Sequence, residues 1–530
     1  MVSEIKQEEN SYVLRFGGGI HSRPPEDEID IRECATGRNF TLDVRDHDFH
    51  PRPPFDNVGT TPNAGAIRGM GQLVKQNGDT SFLVQSAGNI YEWDGIGTFT
   101  LAGTCDASAM LRGWRWHNFT LDDVLVLTDL NGVNPVLTWN GKTLQEMPHN
   151  LPGDFFARYC FVRDERAWYA NVRNFVAVPH MIVGSKRSDY KTISISDRPS
   201  TSLSDEDPFF FLTPDLRAVN GLVGALGTVV VSSLGPDGNL YNISGQSAQD
   251  YTIDDFYAGS GALGVEGLAY VGNDILYGRQ GRIESLVSTD RFGDVESDDL
   301  SLAIGDTVAG FKRWRIVYNS RLDRVYCEAV GESQTWVLHK GMVGGPLSPW
   351  SKWTTAHALA FNPVCMMNLL DPVTGLEYVW MGDTSGNLYR LEGTGLSGDA
   401  GSENVVAERV SGLMSAPLDS EAYEIEGWVK YRKADYASTL TLTFEFAGQT
   451  LFDQELTITL PAGTGGVYFG GGSSQAYFGG SFYFGLPFGG RVTRKRFPVP
   501  GQGNEFQIRT RVEGTADFRI NEIGVRFKAA

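Results

Sequence analysis

The stretch YVWMGDTSGNLYRLEG, residues 378–393, contains an apolar run, a turn of Gly, Asp, Ser and Asn, and a second apolar run. Turn residues between two such runs predict a pair of antiparallel strands joined by a tight turn. The segment LVGALGTVVVSSLGPDGNLYNI, residues 222–243, has the same order. Helical periodicity is nearly absent from the rest of the chain, so we expect an all-β protein.

The turn in this stretch recurs along the chain. Residues 88–91, 238–241 and 386–389 share the pattern G-N-[I/L]-Y, and their starts are 150 and 148 residues apart. Similar segments occur between them, at residues 138–147, 190–197, 277–286 and 333–340. A mean step of about 50 residues is typical of four-stranded β-propeller blades. We therefore predict a β-propeller of six to eight blades over residues 71–396; a large irregular β-sandwich with fortuitous turns is the alternative.

The segments on either side of this region have a different character. Residues 1–70 are rich in proline and turn residues, which predicts an extended N-terminal arm lying on another part of the protein or on a neighbour. Residues 397–530 contain strands of clean alternation; in STLTLTFEFAG, residues 438–448, Leu440, Leu442, Phe444 and Phe446 share one face. This pattern predicts a C-terminal antiparallel β-sandwich.

Charge and composition exclude several classes of protein. The net charge of −19 argues against a surface that grips nucleic acid, although not against one that DNA slides past. The sequence has neither the apolar core of a signal peptide nor the ~20 apolar residues of a membrane helix. Its five cysteines are widely spaced without a CxxC pair, so we expect neither a zinc knuckle nor a disulfide framework, and synthesis in a reducing cytoplasm.

The sequence contains no recognisable catalytic motif. GxSxG, HExxH and P-loop patterns are missing, so we predict no catalytic residue, no cofactor and no metal site. The segment His47-Asp48-Phe49-His50 would need a third metal ligand from elsewhere, and we interpret it as a polar turn before Pro51. No pair of carboxylates is singled out for glycoside hydrolysis, which requires two within a few ångströms.

Several stretches resemble the propeller-containing tail nozzle, or tail tubular, proteins of short-tailed bacteriophages. They are RFGGGIHSRPPEDEIDIRECATGRNFTLD (15–43), LTDLNGVNPVLTWNG (127–141), RYCFVRDERAWYANV (158–172), PLSPWSKWT (346–354), GDTSGNLYRLEG (382–393) and INEIGVRFKA (520–529). The resemblance implies a hexameric ring at the distal end of the virion tail, below an adaptor ring that joins it to the portal. It implies no catalytic residues.

We accordingly expect a structural virion protein, assembled in the bacterial host cytoplasm, whose ring conducts DNA during ejection and helps retain the genome before it. The expected partners are further copies of the chain, the adaptor ring and tail fibre or spike proteins, while DNA passes without specific binding. Acidic loops are expected to face the DNA path, with Asp205, Glu206, Asp207, Asp298 and Asp299 as candidates. The alternative is a carbohydrate-binding or glycan-cleaving propeller, tail-borne or secreted.

Residues 468–490 form a Gly- and aromatic-rich stretch, YFGGGSSQAYFGGSFYFGLPFGG, without any charge. Its aromatic residues could stack in hairpins on the sandwich or propeller, pack across a subunit boundary, or touch a membrane at infection. We expect the arm and the sandwich to carry much of the contact between subunits or with the adaptor ring. The candidate interface aromatics are Tyr477, Phe478, Phe482, Tyr483, Phe484 and Phe488.

Overall fold

The computed structural model divides the chain into two compact units. One comprises Met1–Phe55, Val337–Leu359 and Gly393–Ala530, and the other comprises Asp56–Trp336 and Ala360–Glu392. The structure describes residues 11–25, 27–42, 48–116, 123–225, 227–259, 261–288, 295–331, 334–354, 363–393, 405–415, 423–432, 438–446, 454–460, 492–499, 505–514 and 518–529.

The chain begins with four short strands that belong to the first unit. They are β1 Ser11–Leu14, β2 Cys34–Arg38, β3 Phe40–Leu42 and β4 Phe49–Pro51. Aromatic side chains anchor this region: Phe16, Phe40 and Phe49 are buried, and the Phe49 ring lies 5.4 Å from that of Phe16 and 5.7 Å from that of Phe40. The predicted arm therefore has buried side chains of its own.

A propeller follows in the sequence, built from seven four-stranded blades in the part of the chain that the structure describes. Its first strand is β5 Asp56–Thr60. Blade one is β6 Ile67–Val74, β7 Thr80–Ser86, β8 Asn89–Trp93 and β9 Phe99–Thr104; blade two is β10 Leu111–Trp116, β11 Val124–Asp129, β12 Leu137–Trp139 and β13 Leu144–Glu146. Blade three is β14 Phe156–Arg163, β15 Arg166–Asn174, β16 Val176–Gly184 and β17 Phe209–Leu212; blade four is β18 Val219–Ala225, β19 Thr228–Ser233, β20 Leu240–Ser244 and β21 Thr252–Tyr257. Blade five is β22 Leu268–Val271, β23 Asp274–Arg279, β24 Arg282–Ser288 and β25 Val295–Asp299; blade six is β26 Trp314–Asn319, β27 Arg324–Ala329, β28 Thr335–His339 and β29 Trp350–Trp353; blade seven is β30 Cys365–Leu370, β31 Glu377–Gly382 and β32 Asn387–Arg390 together with β5.

The blades form a closed ring. The inner strands β6, β10, β14, β18, β22, β26 and β30 contact one another in that order, and β30 contacts β6. Blade seven takes its outer strand from the start of the propeller sequence, since β5 pairs with β32 through Thr60 and Asn387. The prediction of a propeller with six to eight blades is confirmed. Its first strand begins at Asp56 instead of the predicted residue 71, because β5 closes the ring.

The recurring G-N-[I/L]-Y turns occupy equivalent positions in the propeller. Gly88, Gly238 and Gly386 each lie between the second and third strands of a blade, in blades one, four and seven, so repeats three blades apart explain the spacing of about 150 residues. Gly88 and Gly386 have φ of 88° and 81°, in the left-handed region that favours glycine. In two of the turns the Asn side chain donates a hydrogen bond to the Tyr hydroxyl two residues on, over 3.0 Å from Asn89 and 3.1 Å from Asn239.

The four weaker markers are not equivalent to one another. Residues 277–286 span the turn between the second and third strands of blade five, but residues 138–147 span the third and fourth strands of blade two. Residues 190–197 contain no strand, and residues 335–339 are a single strand, β28. Turn residues favour any tight connection, so they identify hairpins without giving their place in a blade.

The hydrophobic core of the propeller lies between neighbouring blades. One cluster joins Phe82 and Trp93 of blade one to Tyr378 and Trp380 of blade seven, with the Phe82 and Trp380 rings 5.1 Å apart. Stacked blades bury the faces that a single blade would expose, which is why the repeat must close into a ring. Helices are short in the described residues: 3-10 turns at Leu302–Ile304 and Lys340–Met342 and one α-helix, α1 Gly305–Val308. None of these helices is long or apolar enough to cross a membrane.

The predicted C-terminal β-sandwich is present and includes the arm. Its strands are β33 Val405–Ser411, β34 Met414–Ser415, β35 Tyr423–Arg432, β36 Ser438–Phe446, β37 Gln454–Leu460, β38 Val492–Val499, β39 Glu505–Gly514 and β40 Arg519–Ala529. One sheet has the order β3-β4-β40-β35-β38 with β1 beside β40, and the other has β2-β33-β39-β36-β37 with β34 beside β39. Leu440, Leu442 and Phe444 are buried, as their alternation predicts. The arm lies on its own chain because it supplies strands to both sheets.

Two of the stretches that carry the nozzle resemblance bind each other within the first unit. The backbone N–H of Gly19 donates to Ser348 over 2.7 Å, and that of Ile20 donates to Trp350 over 2.8 Å. A Cβ atom at Gly19 would lie 2.0 Å from the carbonyl oxygen of Trp350, so this approach requires glycine. Consistent with this contact, Val337–Leu359, which contains β29 of blade six, groups with the first unit.

Candidate functional site

Four charged side chains meet inside the ring of blades. Arg112 comes from inner strand β10, Arg315 from inner strand β26, and Glu328 from the neighbouring strand β27. Glu266 lies in the connection just before β22. Blades two and five are not neighbours in the ring, so Arg112 and Glu266 can meet only across its axis. We call these four residues the axis cluster.

Glu266 is the centre of the axis cluster. One of its carboxylate oxygens accepts a hydrogen bond from Nε of Arg112, and the other accepts one from Nε of Arg315 over 2.6 Å. Arg315 also donates to the carboxylate of Glu328 and, over 2.8 Å, to the carbonyl oxygen of Val364. Arg112 donates to the carbonyl oxygen of Arg68 over 2.9 Å. The network thus connects blades one, two, five, six and seven.

The pKa values of the two carboxyl groups in the axis cluster are shifted in opposite directions. Burial favours the neutral form of Glu266, but the charges of Arg112 and Arg315 outweigh it and lower its pKa to about 2. Glu328 is fully buried, and this burial raises its pKa to about 7 despite the neighbouring Arg315 guanidinium. Oε1 of Glu328 has no hydrogen-bond partner among the described residues, which is consistent with a carboxyl that holds a proton easily.

The axis cluster is suited to holding blades together. Its two arginines and two carboxylates have balanced formal charges, and most of their polar atoms bond to each other or to backbone carbonyls. A ligand site, in contrast, offers polar groups to a guest in a concave pocket. No sequence motif predicts this cluster, because Arg112 and Glu266 are 154 residues apart. The available signal was a charged residue inside an apolar strand, as in WRIVYN and RVYCEA.

The acidic segment Asp205-Glu206-Asp207 lies in the connection between β16 and β17 of blade three. Asp205 and Glu206 are exposed, whereas all three backbone carbonyls accept hydrogen bonds from the buried guanidinium of Arg166. The side chain of Asp207 accepts a hydrogen bond from the backbone N–H of Ser204 over 2.8 Å, which lowers its pKa. This segment is therefore a loop that Arg166 holds against the start of β15.

The other predicted acidic loop is part of a strand. Asp298 and Asp299 are the last two residues of β25, the outer strand of blade five. Asp298 is exposed, and Asp299 accepts hydrogen bonds from the backbone and hydroxyl of Ser301. The five candidate acidic residues thus lie on blades three and five, and none of them belongs to the axis cluster. Whether they face a DNA path in an assembly stays a prediction.

The remaining candidate residues are the interface aromatics and the histidines of the segment His47–His50. Tyr477, Phe478, Phe482, Tyr483, Phe484 and Phe488 lie outside the described residues, as does His47. His50 is buried on β4, with Nδ1 3.1 Å from the carbonyl oxygen of Pro51. Over the described ranges, no group of three His, Cys, Asp or Glu side chains has the arrangement of a metal site.

A cleft of about 220 Å³ lies beside blade six, below the roughly 300–1,000 Å³ of most small-molecule pockets. It is lined by Gly310, Phe311, Lys312, Arg313, Ala329 and Val330. Lys312 and Arg313 are exposed at its wall. The lining contains no carboxylate or histidine, so these residues offer no general acid–base pair.

The chain matches no protein family and none of the curated proteins. It is similar to a catalytically inactive virginiamycin B lyase from Staphylococcus aureus solved with quinupristin, at 10% identity and a TM-score of 0.42, covering 64% of this chain and 98% of the other. It is also similar to the computationally designed Ika8 protein, at 13% identity and a TM-score of 0.35, covering 63% and 99%. The first of these proteins is an enzyme and the second a design. The strand topology and the contacts between inner strands define the propeller of this chain.

Proposed function

We propose that this chain is a structural component of the tail of a short-tailed bacteriophage, a non-catalytic nozzle protein that assembles into a ring through which DNA leaves the virion. The observation that carries the proposal is the filled axis of the propeller. Arg112, Glu266, Arg315 and Glu328 use their charges on one another, so the place where a propeller could hold a substrate has a structural role.

The filled axis also bears on the path of DNA. A duplex cannot pass through a space occupied by packed and ion-paired side chains, so any channel has to be enclosed by several copies of the chain. Rings of identical subunits arise from head-to-tail contacts whose rotation closes. The resemblance to nozzle proteins implies six copies, below an adaptor ring and beside tail fibres or spikes.

The acidic character of the chain suits passage without binding. The net charge is −19, and the side chains of Asp205, Glu206 and Asp298 are exposed to solvent. Like charges repel the phosphate backbone and leave no adhesive site along the path. In this proposal the protein resides in the virion tail after assembly in the host cytoplasm, and contact with a membrane occurs only at infection.

The mass and shape of purified particles test the proposal. We expect light scattering on the full chain to give about six times the 58.1 kDa chain mass, and electron micrographs to show rings with a central opening. Particles that stay monomeric at all concentrations, with or without adaptor protein, and that bind or cleave glycans would contradict it and favour the carbohydrate-directed alternative.

Ejection kinetics test the electrostatic part of the proposal. We expect Asp205→Lys with Glu206→Lys to slow DNA release from assembled virions, more at low salt, because new cation–phosphate contacts must break and salt screens them. Asp254→Lys with Asp255→Lys, on the exposed outer strand of blade four, is the matched control. Equal ejection by both variants at two salt concentrations would exclude the acidic loop from the DNA path.

A further inference from the structure

Four exposed apolar side chains lie on blades one and seven of the propeller. Ile96 and Leu101 belong to blade one and are 82% and 57% exposed; Val373 and Leu376 belong to blade seven and are 63% and 46% exposed. The two blades touch here, since a Cβ atom at Gly95 would lie 3.1 Å from Cγ2 of Val373. Clustered apolar side chains of this kind mark interaction sites more often than isolated ones do. We call these four residues the seam patch.

The strand beside the seam patch is an open and uncharged edge. Strand β9, FTLAGT, is the outer strand of blade one and pairs on one side only, with β8. Natural sheets usually protect such edges with charges. The outer strands β21, TIDDFY, and β25, VESDD, follow this rule, whereas β9 carries no charge. The unpaired N–H and C=O groups of β9 can therefore accept another strand.

The chain itself contains a segment that matches this edge. No charged residue occurs from Leu456 to Gly490, and eight of the 23 residues 468–490 are Phe or Tyr. Residues 461–491 connect β37 to β38; at about 3.3 Å per residue their extended length is roughly 100 Å, so this loop, fixed at both ends, could reach roughly 50 Å outward. Because neither the segment nor β9 carries a charge, their association buries no charged group, and the aromatic rings can pack on the apolar side chains of the seam patch.

We propose that residues 461–491 of one copy add a strand to β9 of a neighbouring copy and place their aromatic side chains on the neighbour's seam patch. This inference rests on the proposed assembly into rings, and it names a contact that would join the subunits. The donor and acceptor surfaces differ, so the contact is head-to-tail, as a closed ring requires. Strand addition supplies backbone hydrogen bonds, and the patch supplies the side-chain contact.

The geometry of β9 limits where the added strand can pair. Phe99, Thr100 and Leu101 pair in register with Trp93, Glu92 and Tyr91 of β8, and the register shifts immediately beyond Leu101. Such a shift interrupts the regular ladder. The added strand should therefore pair beside Phe99–Leu101, next to Ile96, while the C-terminal end of β9 stays unpaired.

A peptide-binding experiment tests the acceptor surface directly. A fluorescent peptide of residues 475–486, QAYFGGSFYFGL, is titrated with the full chain in which residues 463–489 are replaced by a Gly-Ser linker of equal length. We expect Ile96→Asp with Val373→Asp to weaken peptide binding at least tenfold. Leu302→Asp with Leu216→Asp, which places the same charges on exposed apolar residues elsewhere in the propeller, should leave binding unchanged. Failure of the peptide to bind, or equal binding by both double variants, would overturn the inference.

A crosslink identifies which copy donates the segment. In the full chain, with residues 463–489 retained and Leu101→Cys and Phe482→Cys introduced, we expect oxidation to give covalent oligomers. The two single-substituted chains are the controls. A monomeric species with an internal disulfide would overturn the assignment to a neighbouring copy. Rings that persist when Ile96→Asp and Val373→Asp are present would reject this contact while leaving the proposed function intact, whereas peptide binding without any ring would do the reverse.

Discussion

Buried arginines hold two regions of this molecule in different ways. In the axis cluster, Arg112 and Arg315 face the carboxylates of Glu266 and Glu328. In the first unit, Arg409 donates to the carbonyl oxygens of Gly18 and Arg32 and lies over the Phe16 ring. Arg52 likewise donates to the carbonyl oxygens of Pro53 and Thr354, and its guanidinium lies 3.8 Å from the Phe55 ring centre.

The difference shows two solutions to the cost of burying a charge. Carboxylate partners neutralise the guanidinium, but they must be buried as well and they titrate. Backbone carbonyls and aromatic faces bring no second charge, so they fix a chain segment without any response of their own to pH. The first solution joins blades that are distant in sequence. The second connects N-terminal residues to β33 through Arg409 and to the end of β29 through Arg52.

The largest effect is expected at the centre of the axis cluster. Glu266→Gln removes the carboxylate that both arginines share, and leaving buried charges unpaired costs about 3–5 kcal/mol of unfolding free energy. Urea unfolding followed by tryptophan fluorescence measures it. Glu146→Gln, at an exposed position on β13, is the control and should change little. A loss below 1 kcal/mol would mean that the propeller does not depend on this ion pair.

A smaller loss, confined to the first unit, is expected for Arg409→Met. The carbonyl oxygen of Gly18 loses its donor, at about 1–3 kcal/mol for a buried group left unsatisfied, whereas that of Arg32 still accepts from the backbone N–H of Gly18. Hydrogen exchange of residues 16–34 should accelerate while the propeller stays protected. Arg511→Met, at an exposed position on β39, is the matched control. Unchanged protection of residues 16–34 would show that the carbonyl contacts are not what holds these strands.

The pH response separates the two regions. The pKa of Glu328 is raised to about 7 from an ordinary value of 4.5, so its contribution to stability is full below pH 4.5 and is lost as pH rises through 7. Glu328→Gln should remove a slope of up to about 1.4 kcal/mol per pH unit between pH 5 and 7. Denaturation across this range is the measurement, and Arg409→Met should keep the wild-type slope. Parallel profiles of the wild type and Glu328→Gln would disprove the raised pKa.

The smallest effect is expected where no charge takes part. Asn89→Ala removes the hydrogen bond to the Tyr91 hydroxyl, worth about 0.5–1.5 kcal/mol. Asn239→Ala should cost more in blade four, because it removes the corresponding bond to Tyr241 and also the acceptor of the Gly259 backbone N–H. Thermal unfolding of the two variants compares them. Equal costs would show that the bond to Gly259 adds no measurable stability.

The repeated turns of the propeller could be predicted from the sequence, whereas the axis cluster and the N-terminal strands, which occur once, could not. Three G-N-[I/L]-Y turns defined the propeller because each connects the second and third strands of a blade, with a left-handed glycine at Gly88 and Gly386 and an Asn–Tyr hydrogen bond in blades one and four. The axis cluster left no such trace, since its members meet only after the ring has closed. The N-terminal strands were hidden for a related reason: Pro-rich residues 11–51 become strands through pairing with β33 and β40, whose sequences are more than 350 positions away.

The candidate site residues were predictable as sequence features but not as locations. Charge alone identified residues 205–207 and 298–299 as acidic, yet one group is a loop fastened by Arg166 and the other is the end of a strand. Nothing local distinguishes these settings, because the acceptors for Arg166 are backbone carbonyls that every residue has.

The closure of the ring by β5 has a consequence for synthesis on the ribosome. Thr60 and Asn387, which pair across blade seven, are 327 residues apart. At roughly 5–20 residues per second, β5 waits roughly 15–65 s for its partner strand to be made. During that time the blades already emerged form an open arc with an unsatisfied face at each end. The ring therefore stays open until Asn387 has been made, and the end faces of the arc become buried only when blade seven is completed.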